Sequence, residues 1–401
     1  MTSRTRTRLI FAFLLFFLDS TALWAGDAED PRRETSPPQA RSIILMVADG
    51  LGMANVTAAR IHKNGPDGPP LFLELPHVGY QRTYGADGIV TDSAAAASAW
   101  ACGEKFNHGE VCLHADSKEP PKSILELAGM KGKATGLVAT STITHATPAA
   151  FASHVASRKC ETEIARQYLR ITRPDVLLGG GWSRFAPAQP DPCGASGDLL
   201  AEARARGYSV VHTESDLRGA VERGASRILG LFAGEAMTPE NRRTAESFEP
   251  PLWEMTASAL KTLGRNPRGF FLLVEGSQID HANHRKDLPY LLGEVLGFDR
   301  AVKTVLDWLE EQPSRKDSTL LVVVSDHETG GFAIHGPRKG LTAKGGSIEP
   351  GWSFTGGDTS QKVGHTGVDT PVWSLGPGSS LLNRPAMENT EIYRVMKSVL
   401  D

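Results

Sequence analysis

Carboxylate side chains directly follow three of the apolar runs in this sequence. Asp49 comes after SIILMVA, Glu275 after FFLLV, and Asp326-His327 after LLVVV and one serine. In open α/β sheets, ligands bind beyond the carboxyl ends of the strands, so these acids are expected to meet at one edge. Any one of them alone would more simply be a helix cap or a turn residue. Three acids together repel one another unless cations are bound, so the pattern predicts a metal site.

Imidazole groups offer nitrogen donors for the same site. Asp280 and His284 are four residues apart and would share one face of a helical turn. His365 lies among small residues that let the backbone approach a ligand. Mixed carboxylate and imidazole donors without thiolate are typical of catalytic zinc, whereas magnesium prefers oxygen alone. Isolated histidines such as His62 and His212 are more often surface residues, and we assign them no function.

A serine precedes a run of good helix formers in the segment TDSAAAASAW. Ser93 would therefore lie at or near a helix N-terminus, where it could simply be a cap. A serine in that position also faces backbone N–H groups and the positive end of the helix dipole, which suit phosphate. No GxSxG motif accompanies it, so coordination to a metal is another way to activate this hydroxyl.

The elements that must position these residues are visible as continuous apolar runs alternating with stretches of helical spacing. Continuous runs suit strands covered by helices on both faces. The alternation predicts an α/β protein, a three-layer α/β/α sandwich with a large, mostly parallel central sheet. The segment 336–366 is rich in Gly, Ser and Thr and is expected to be a long surface excursion. The strand-like runs are residues 42–48, 136–139, 176–178, 270–274 and 320–324, and the helical stretches are 122–130, 198–206 and 252–263.

The N-terminus predicts export. Three arginines precede an apolar run from Leu9 to Leu18, and small residues follow, which is the pattern of a signal peptide over residues 1–25. The run is too short for a membrane anchor, which takes about 20 residues. We expect a periplasmic or secreted protein without stable membrane insertion after signal cleavage. Residues 26–40 are polar and proline-rich and are expected to be a flexible lead-in, and residues 41–401 to form one catalytic domain.

Charge and cysteine content restrict the partners. The formal net charge of −3 indicates no basic surface for nucleic acid. An even number of cysteines in an exported chain favours two disulfides, for which three connectivities are possible. We favour the short-loop pairing, and no cysteine has the CxxC spacing of a zinc knuckle. The four are Cys102, Cys112, Cys160 and Cys193.

Six short segments, taken in chain order, resemble the alkaline phosphatase family, and the resemblance covers most of residues 42–377. Each segment alone is weak support, but six in the family's order are highly specific. They are Asp49-Gly50, Thr91-Asp92-Ser93-Ala94-Ala95, Ala146-Thr147-Pro148 through Ser157-Arg158-Lys159-Cys160, Val274-Glu275-Gly276 through His284, Ser325-Asp326-His327-Glu328 and His365-Thr366-Gly367.

The resemblance implies a homodimer that hydrolyses small-molecule phosphate monoesters through a phosphoserine at Ser93, with two Zn²⁺ and one Mg²⁺ per chain. It implies that Arg158 clamps the phosphoryl oxygens and that Asp92 orients this arginine; without the motif, Arg158 would be an ordinary surface residue. It implies three metal sites: Asp280, His284 and His365 for one zinc, Asp49, Asp326 and His327 for the second, and Asp49, Thr147 and Glu275 for magnesium.

Two positions vary within the family. His145 and His281 stand where the well-studied enterobacterial form has Asp and Lys, and the animal enzymes resemble this chain in having His at both. We interpret both histidines as side chains that contact the metal ligands without binding the metal themselves. Such side chains tune the affinity of a site for its metal, so the identity of the third metal stays open.

Two other functions remain open. A relative acting on phosphodiesters or sulfate esters would share the metal scaffold, although such relatives commonly use Thr or a modified Cys where this chain has Ser93. An exported metal or phosphate binder without activity would have lost ligands, whereas every matched position here carries a suitable donor. A monoesterase with an alkaline optimum is favoured, because a metal-bound water or serine must be deprotonated.

Overall fold

The computed structural model describes residues 39–72, 75–117, 119–186, 190–335, 348–353 and 363–400. Within these residues, ten strands form one central sheet and four short strands form two small pairs. In chain order the strands are β1 (Ser42–Ala48), β2 (His77–Arg82), β3 (Ala134–Thr142), β4 (Val176–Gly180), β5 (Ser209–Val211), β6 (Ile228–Leu231), β7 (Phe270–Gly276), β8 (Thr319–Val324), β9 (Glu328–Thr329), β10 (Ala333–His335), β11 (Glu349–Gly351), β12 (His365–Thr366), β13 (Thr370–Leu375) and β14 (Met387–Glu388).

The central sheet has the order β14-β2-β13-β8-β1-β7-β3-β4-β6-β5. β13 runs antiparallel to both of its neighbours, and the other pairs in this sheet are parallel. The middle strand β1 lies between β7 and β8, so the residues that follow these three strands meet at one edge.

Helices cover both faces of this sheet. In chain order they are α1 (Met53–Asn64), α2 (Ser93–Cys102), α3 (Ile124–Met130), α4 (Ala146–Ala152), α5 (Glu161–Gln167), α6 (Trp182–Phe185), α7 (Leu199–Ala205), α8 (Glu214–Glu222), α9 (Leu252–Leu263), α10 (Gln278–Arg285), α11 (Leu288–Glu310), α12 (Pro313–Asp317) and α13 (Asn389–Val399), with a π turn at Tyr168–Thr172 and 3₁₀ turns at Glu240–Arg242 and Ser379–Leu382.

Alternate residues of β1 belong to two different cores. Ile43, Leu45 and Val47 pack with α2, α4 and α13 on one face, whereas Ile44 and Met46 pack with α9 and α11 on the other. Both sets of side chains are fully buried, which explains why the run is continuously apolar rather than alternating. The predicted three-layer α/β/α sandwich is therefore confirmed.

Side-chain caps determine where two of the predicted helices begin. Ser123 accepts a hydrogen bond from the Glu126 N–H at 3.1 Å, so α3 starts after it, and Asp198 caps α7 in the same way. Each predicted stretch therefore included the capping residue, while α9 has the predicted bounds of 252–263.

Two disulfides join Cys102 to Cys112 and Cys160 to Cys193, which is the favoured pairing. The predicted signal peptide and all but the last two residues of the lead-in lie outside the described residues, as do residues 336–347 and 354–362 of the predicted excursion. No described helix has both the length and the apolar character needed to cross a bilayer.

Candidate active site

Four carboxylates meet at the carboxyl edge of the sheet. Asp49 is the first residue after β1, Glu275 lies near the end of β7, and Asp326 follows β8 by two residues. The registers align Val47 of β1 with Glu275 on one side and with the last residue of β8 on the other, which brings these acids together. Asp280 adds a fourth carboxylate from the first turn of α10.

Side-chain donors at this edge form three overlapping groups, and within each group one atom per residue lies within 4.8 Å of the others. The groups share members because Asp49 and His327 each face two of them. They are Asp280, His327 and His365; Asp49, Asp326 and His327; and Asp49, His145 and Glu275.

The predicted residues come together with small differences in grouping. The Nε2 atoms of His284 and His365 lie 3.2 Å and 3.5 Å from Asp280 Oδ1, so both residues contact Asp280, although the first group contains His327 in place of His284. His327 Nε2 lies 3.1 Å from Asp326 Oδ2 and 3.7 Å from Asp49 Oδ1, as predicted for the second set.

The set predicted for magnesium, Asp49, Thr147 and Glu275, has an additional neighbour that was not predicted as a ligand. Thr147, on α4, lies beside Glu275. His145, which we placed behind the ligands, also has a ring nitrogen within 4.8 Å of oxygens of Asp49 and Glu275. His281 lies one step further out, with its ring 6.4 Å from that of His145 and nearly perpendicular to it.

Backbone carbonyl oxygens fix the orientation of two histidine rings, those of His284 and His365. His284 Nδ1 contacts the Val363 carbonyl at 2.5 Å, and His365 Nδ1 contacts the Thr91 carbonyl at 2.9 Å. An Nδ1–H that donates to a carbonyl leaves Nε2 as the free lone pair, and in both residues Nε2 faces a carboxylate. This arrangement is typical of metal-ligating histidine.

Buried oxygens without hydrogen-bond partners test whether cations fit this site. Both carboxylate oxygens of Asp49, Oε1 of Glu275, Oδ2 of Asp326 and the hydroxyl of Thr147 are buried and make no hydrogen bond. Such groups are very costly to bury unless something compensates them. Because all of them are hard oxygen donors beside imidazole nitrogens, divalent cations of the zinc and magnesium class fit the site.

The acids in this cluster differ in their affinity for protons. Burial, followed by the charges of Asp326 and Asp280, raises the pKa of Asp49 well above its usual range. Burial likewise raises the pKa of Glu275 to about 8. Burial also opposes ionisation of Asp326, but His327 outweighs it and lowers the pKa of Asp326 to about 2. Without cations, Glu275 therefore favours the neutral form at pH 7, and the pKa of Asp49 is shifted in the same direction.

Asp280 is held ionised by its neighbours. Burial alone would raise its pKa, but hydrogen bonds with His284 and His365 hold the pKa of this carboxyl well below its usual range. The same contacts outweigh the burial of the two imidazoles and raise the pKa of each.

A serine and an arginine border the cluster. Ser93 is the first residue of α2, and its Oγ lies 3.3 Å from His327 Nε2. Asp92 caps this helix by accepting from the Ala95 N–H at 3.0 Å, and its other oxygen accepts from Arg158 at 2.9 Å. Burial would raise the pKa of Asp92, but Arg158 outweighs it and the pKa is lowered.

Arg158 is held on a second side by His145. One terminal nitrogen of Arg158 donates to Asp92, and the other donates to His145 Nε2 at 2.8 Å. Burial and the Arg158 charge lower the pKa of His145 well below its usual value, so this imidazole is neutral and can accept that bond. The guanidinium is therefore held next to Asp92, the residue before Ser93, with its side chain 25% exposed.

Sequence reasoning missed three residues that orient the site. Thr329 donates to Asp280 Oδ1 at 2.6 Å and contacts His327 Nδ1 at 3.2 Å. Ser277 donates to Glu275 Oε2 at 2.8 Å. Gly109 donates its N–H to Asp92 at 3.1 Å. Only Thr329 and Ser277 carried a signal, because each lies two residues after a predicted ligand, which suits a supporting hydroxyl.

Comparison with known proteins agrees with this geometry. The family model described as alkaline phosphatase matches residues 40–347. A streptomycin-6-phosphate phosphatase from Streptomyces griseus is 35% identical, covering 94% of each chain. The alkaline phosphatase of Escherichia coli (strain K12) is 30% identical, covering 94% of this chain and 89% of its own.

Solved structures give the same result. Alkaline phosphatase from the Antarctic bacterium TAB5 superposes with a TM-score of 0.76 at 31% identity, covering 90% of this chain and 98% of that one. A variant of it, in which one histidine is replaced by aspartate, has Mg bound in the site called M3, with a TM-score of 0.75 at 30% identity, covering 90% and 99%. The protein described here belongs to the alkaline phosphatase family and is a phosphomonoesterase.

Proposed function

We propose that this protein hydrolyses small-molecule phosphate monoesters through a phosphoserine intermediate at Ser93, with divalent cations bound by the carboxylate and histidine cluster. The observation that carries the proposal is the position of Ser93. Its hydroxyl lies at the first turn of α2 and 3.3 Å from His327 Nε2, beside a cluster in which five buried oxygens have no hydrogen-bond partner.

Two Zn²⁺ and one Mg²⁺ per chain fit the donors. When bound, these ions would neutralise the buried carboxylates, lower the pKa of the serine hydroxyl and of water, and stabilise negative charge on the attacking and leaving oxygens. The ligand sets we propose are Asp280, His284 and His365; Asp49, Asp326 and His327; and Asp49, Thr147 and Glu275, with His145 beside the third.

The residues of the chain account for substrate binding and orientation. Arg158 presents a planar fork that matches two phosphoryl oxygens, and its contacts with Asp92 and His145 hold that fork in place. Backbone N–H groups at the start of α2 face the same region and favour a phosphate beside Ser93. Few further groups are required, because phosphoryl transfer depends mainly on in-line positioning and charge neutralisation.

The reaction proceeds in two displacements. In the first, Ser93 Oγ, having lost its proton, bonds to phosphorus while the bond to the alcohol oxygen breaks and the alcohol leaves with a proton from solvent. In the second, water attacks phosphorus and gives up a proton, the bond to Ser93 Oγ breaks, that oxygen takes up a proton, and inorganic phosphate is released. Arg158 binds phosphoryl oxygens in both steps.

The occupant of the third set depends on His145 and His281. In the TAB5 enzyme, magnesium is bound in a variant that has aspartate in place of one histidine, which supports magnesium where an oxygen donor is available. His145 supplies a nitrogen donor beside Asp49 and Glu275, which also suits a softer ion such as zinc. We propose magnesium, with His281 behind it.

The remaining features of the proposal come from the sequence and the family. The signal peptide directs export to the periplasm or outside the cell, residues 41–401 act as one catalytic domain, and the enzyme is a homodimer. Disulfide formation at Cys102–Cys112 and Cys160–Cys193 supports an oxidising compartment.

Replacing the nucleophile tests the mechanism. Ser93→Ala should reduce turnover of para-nitrophenyl phosphate by at least about 10³-fold and abolish the acid-stable phosphoprotein formed from radiolabelled phosphate. Ser98→Ala is the matched control, since Ser98 lies on the same helix and hydrogen-bonds Glu110 and Cys112 instead of the cluster. EDTA should abolish activity, and zinc with magnesium should restore it. Full turnover by Ser93→Ala would refute the proposal.

A further inference from the structure

Three exposed apolar side chains lie on two loops beside the active site. Ile89 is 80% exposed, which is unusual for isoleucine, and its neighbour Val90 is 39% exposed. Val368, on the other loop, is 57% exposed. Single exposed apolar residues are common on protein surfaces, so the arrangement matters only if these three are contiguous.

The two loops touch at a glycine. A Cβ placed on Gly367 would lie only 3.0 Å from Ile89 Cγ2 and 3.3 Å from the Ile89 carbonyl oxygen. Gly367 therefore allows the chain before Val368 to approach Ile89 closely. The contact continues inward, where His365 Nδ1 bonds the carbonyl of Thr91 at 2.9 Å. Ile89 thus lies against the loop that carries Val368, and we call Ile89, Val90 and Val368 the apolar rim.

The apolar rim lies on the solvent-facing side of the cluster. The side chains of Asp49, Asp326 and His327 are fully buried, whereas those of His284 and His365 are 29% and 17% exposed. The cluster is therefore open to solvent on the side of His284 and His365. The apolar rim is joined to this side through the contact between Thr91 and His365.

Charge is distributed unevenly around the same opening. Arg158 and its partner His145 lie on the side of Asp92, the residue before Ser93. In an in-line displacement the alcohol leaves on the side of phosphorus opposite the attacking oxygen. His327 contacts Ser93 Oγ, and its ring stacks on that of His365 with the centroids 3.5 Å apart, so a phosphate ester beside Ser93 extends its alcohol portion toward the open side of the cluster, which carries His284 and His365. An alcohol leaving there would pass beside the apolar rim.

We infer that the apolar rim formed by Ile89, Val90 and Val368 contacts the alcohol portion of the substrate and makes the enzyme prefer phosphate esters of apolar alcohols. This inference rests on the proposed phosphomonoesterase function. Such a contact buries apolar area that is otherwise exposed to water, and phosphate itself gains nothing from it. A polyhydroxylated alcohol would be bound less well, because its hydroxyl groups would lose water without gaining partners.

The test replaces the two most exposed rim residues by serine. In Ile89→Ser/Val368→Ser, kcat/KM for hexyl phosphate should fall by about five- to tenfold, while kcat/KM for glycerol 2-phosphate stays within about twofold. The inhibition constant of inorganic phosphate, which has no alcohol portion, should not change. Each substrate is compared between variant and wild type, so intrinsic differences in leaving-group reactivity cancel.

Ile171→Ser is the matched control, since Ile171 is 62% exposed in the π turn and has no place in the site. Equal changes in kcat/KM for both substrates, or an unchanged kcat/KM for hexyl phosphate, would overturn the inference. A shift to a smaller oligomer in light scattering, with both substrates affected alike, would instead assign the rim to a contact between copies of this chain. Wild-type protein without activity on either ester would contradict the proposed function and not the rim alone.

Discussion

Two buried glutamates share a raised pKa but differ in their surroundings. Glu275 belongs to the cluster and is fully buried, and Glu294, on α11, is 6% exposed and accepts from the Glu240 N–H at 2.7 Å. Burial raises the pKa of each to about 8, from 4.5. Because the folded-state pKa is raised, the contribution of each group to the free energy of unfolding is most favourable below pH 4.5, and this contribution is lost as the pH rises through 8. A shift of this size corresponds to about 5 kcal/mol for each residue.

Glu275→Gln should therefore have opposite effects with and without metal. The amide keeps an acceptor for the Ser277 hydroxyl but cannot ionise. In EDTA at pH 9 the variant should be more stable than wild type by up to about 5 kcal/mol, and near pH 5 the difference should nearly vanish. With zinc and magnesium bound, the carboxylate is compensated, so the same substitution should remove a ligand and lower both stability and activity.

Urea denaturation at pH 5, 7 and 9, with EDTA or with both metals, measures these differences. Glu294→Gln is the control, because it removes an equally perturbed carboxyl group away from the cluster. It should stabilise the protein at pH 9 whether or not metal is present. If Glu275→Gln stabilised the metal-loaded protein as much as the metal-free protein, Glu275 would have no role in binding a cation.

Three further substitutions test other parts of the site and fold. Arg158→Lys should raise the inhibition constant of inorganic phosphate about tenfold, because one ammonium cannot bond Asp92 and two phosphoryl oxygens together; an unchanged constant would exclude the clamp. Thr329→Val should weaken zinc binding about 10- to 100-fold in chelator competition while leaving the fold intact, and unaltered zinc affinity would show that this hydroxyl is dispensable. Replacing both Cys160 and Cys193 by serine should lower the free energy of unfolding by about 3 to 4 kcal/mol, given their separation of 33 residues; an unchanged urea midpoint would mean that the bond does not constrain the unfolded chain.

Much of the architecture follows from local sequence. The run SIILMVA predicts β1 with the bounds that the structure has, because a strand buried on both faces must be apolar at every position. β13 was not predicted, since its sequence TPVWSL contains proline and polar residues and is short. Its pairing with β8 is long-range, and no local pattern specifies a partner so distant in the chain.

The sequence by itself determined the candidate donors, because residue type and strand-end position are local properties. Asp49, Glu275, Asp326 and the pair Asp280 and His284 could all be selected from spacing alone. Arg158 could be chosen only through the family motif, since its position depends on contacts with His145 and with Asp92, and Asp92 lies 66 residues away along the chain.

Only the tertiary structure decided how the donors are shared. The adjacency of β7, β1 and β8 places Asp49 in two groups of candidate donors, and Thr329 donates to Asp280, which lies 49 residues away in the sequence. The tertiary structure also determines the pKa of each carboxyl group in the cluster. A pKa depends on burial and on neighbouring charges, and these exist only once strands from distant parts of the chain end at the same edge.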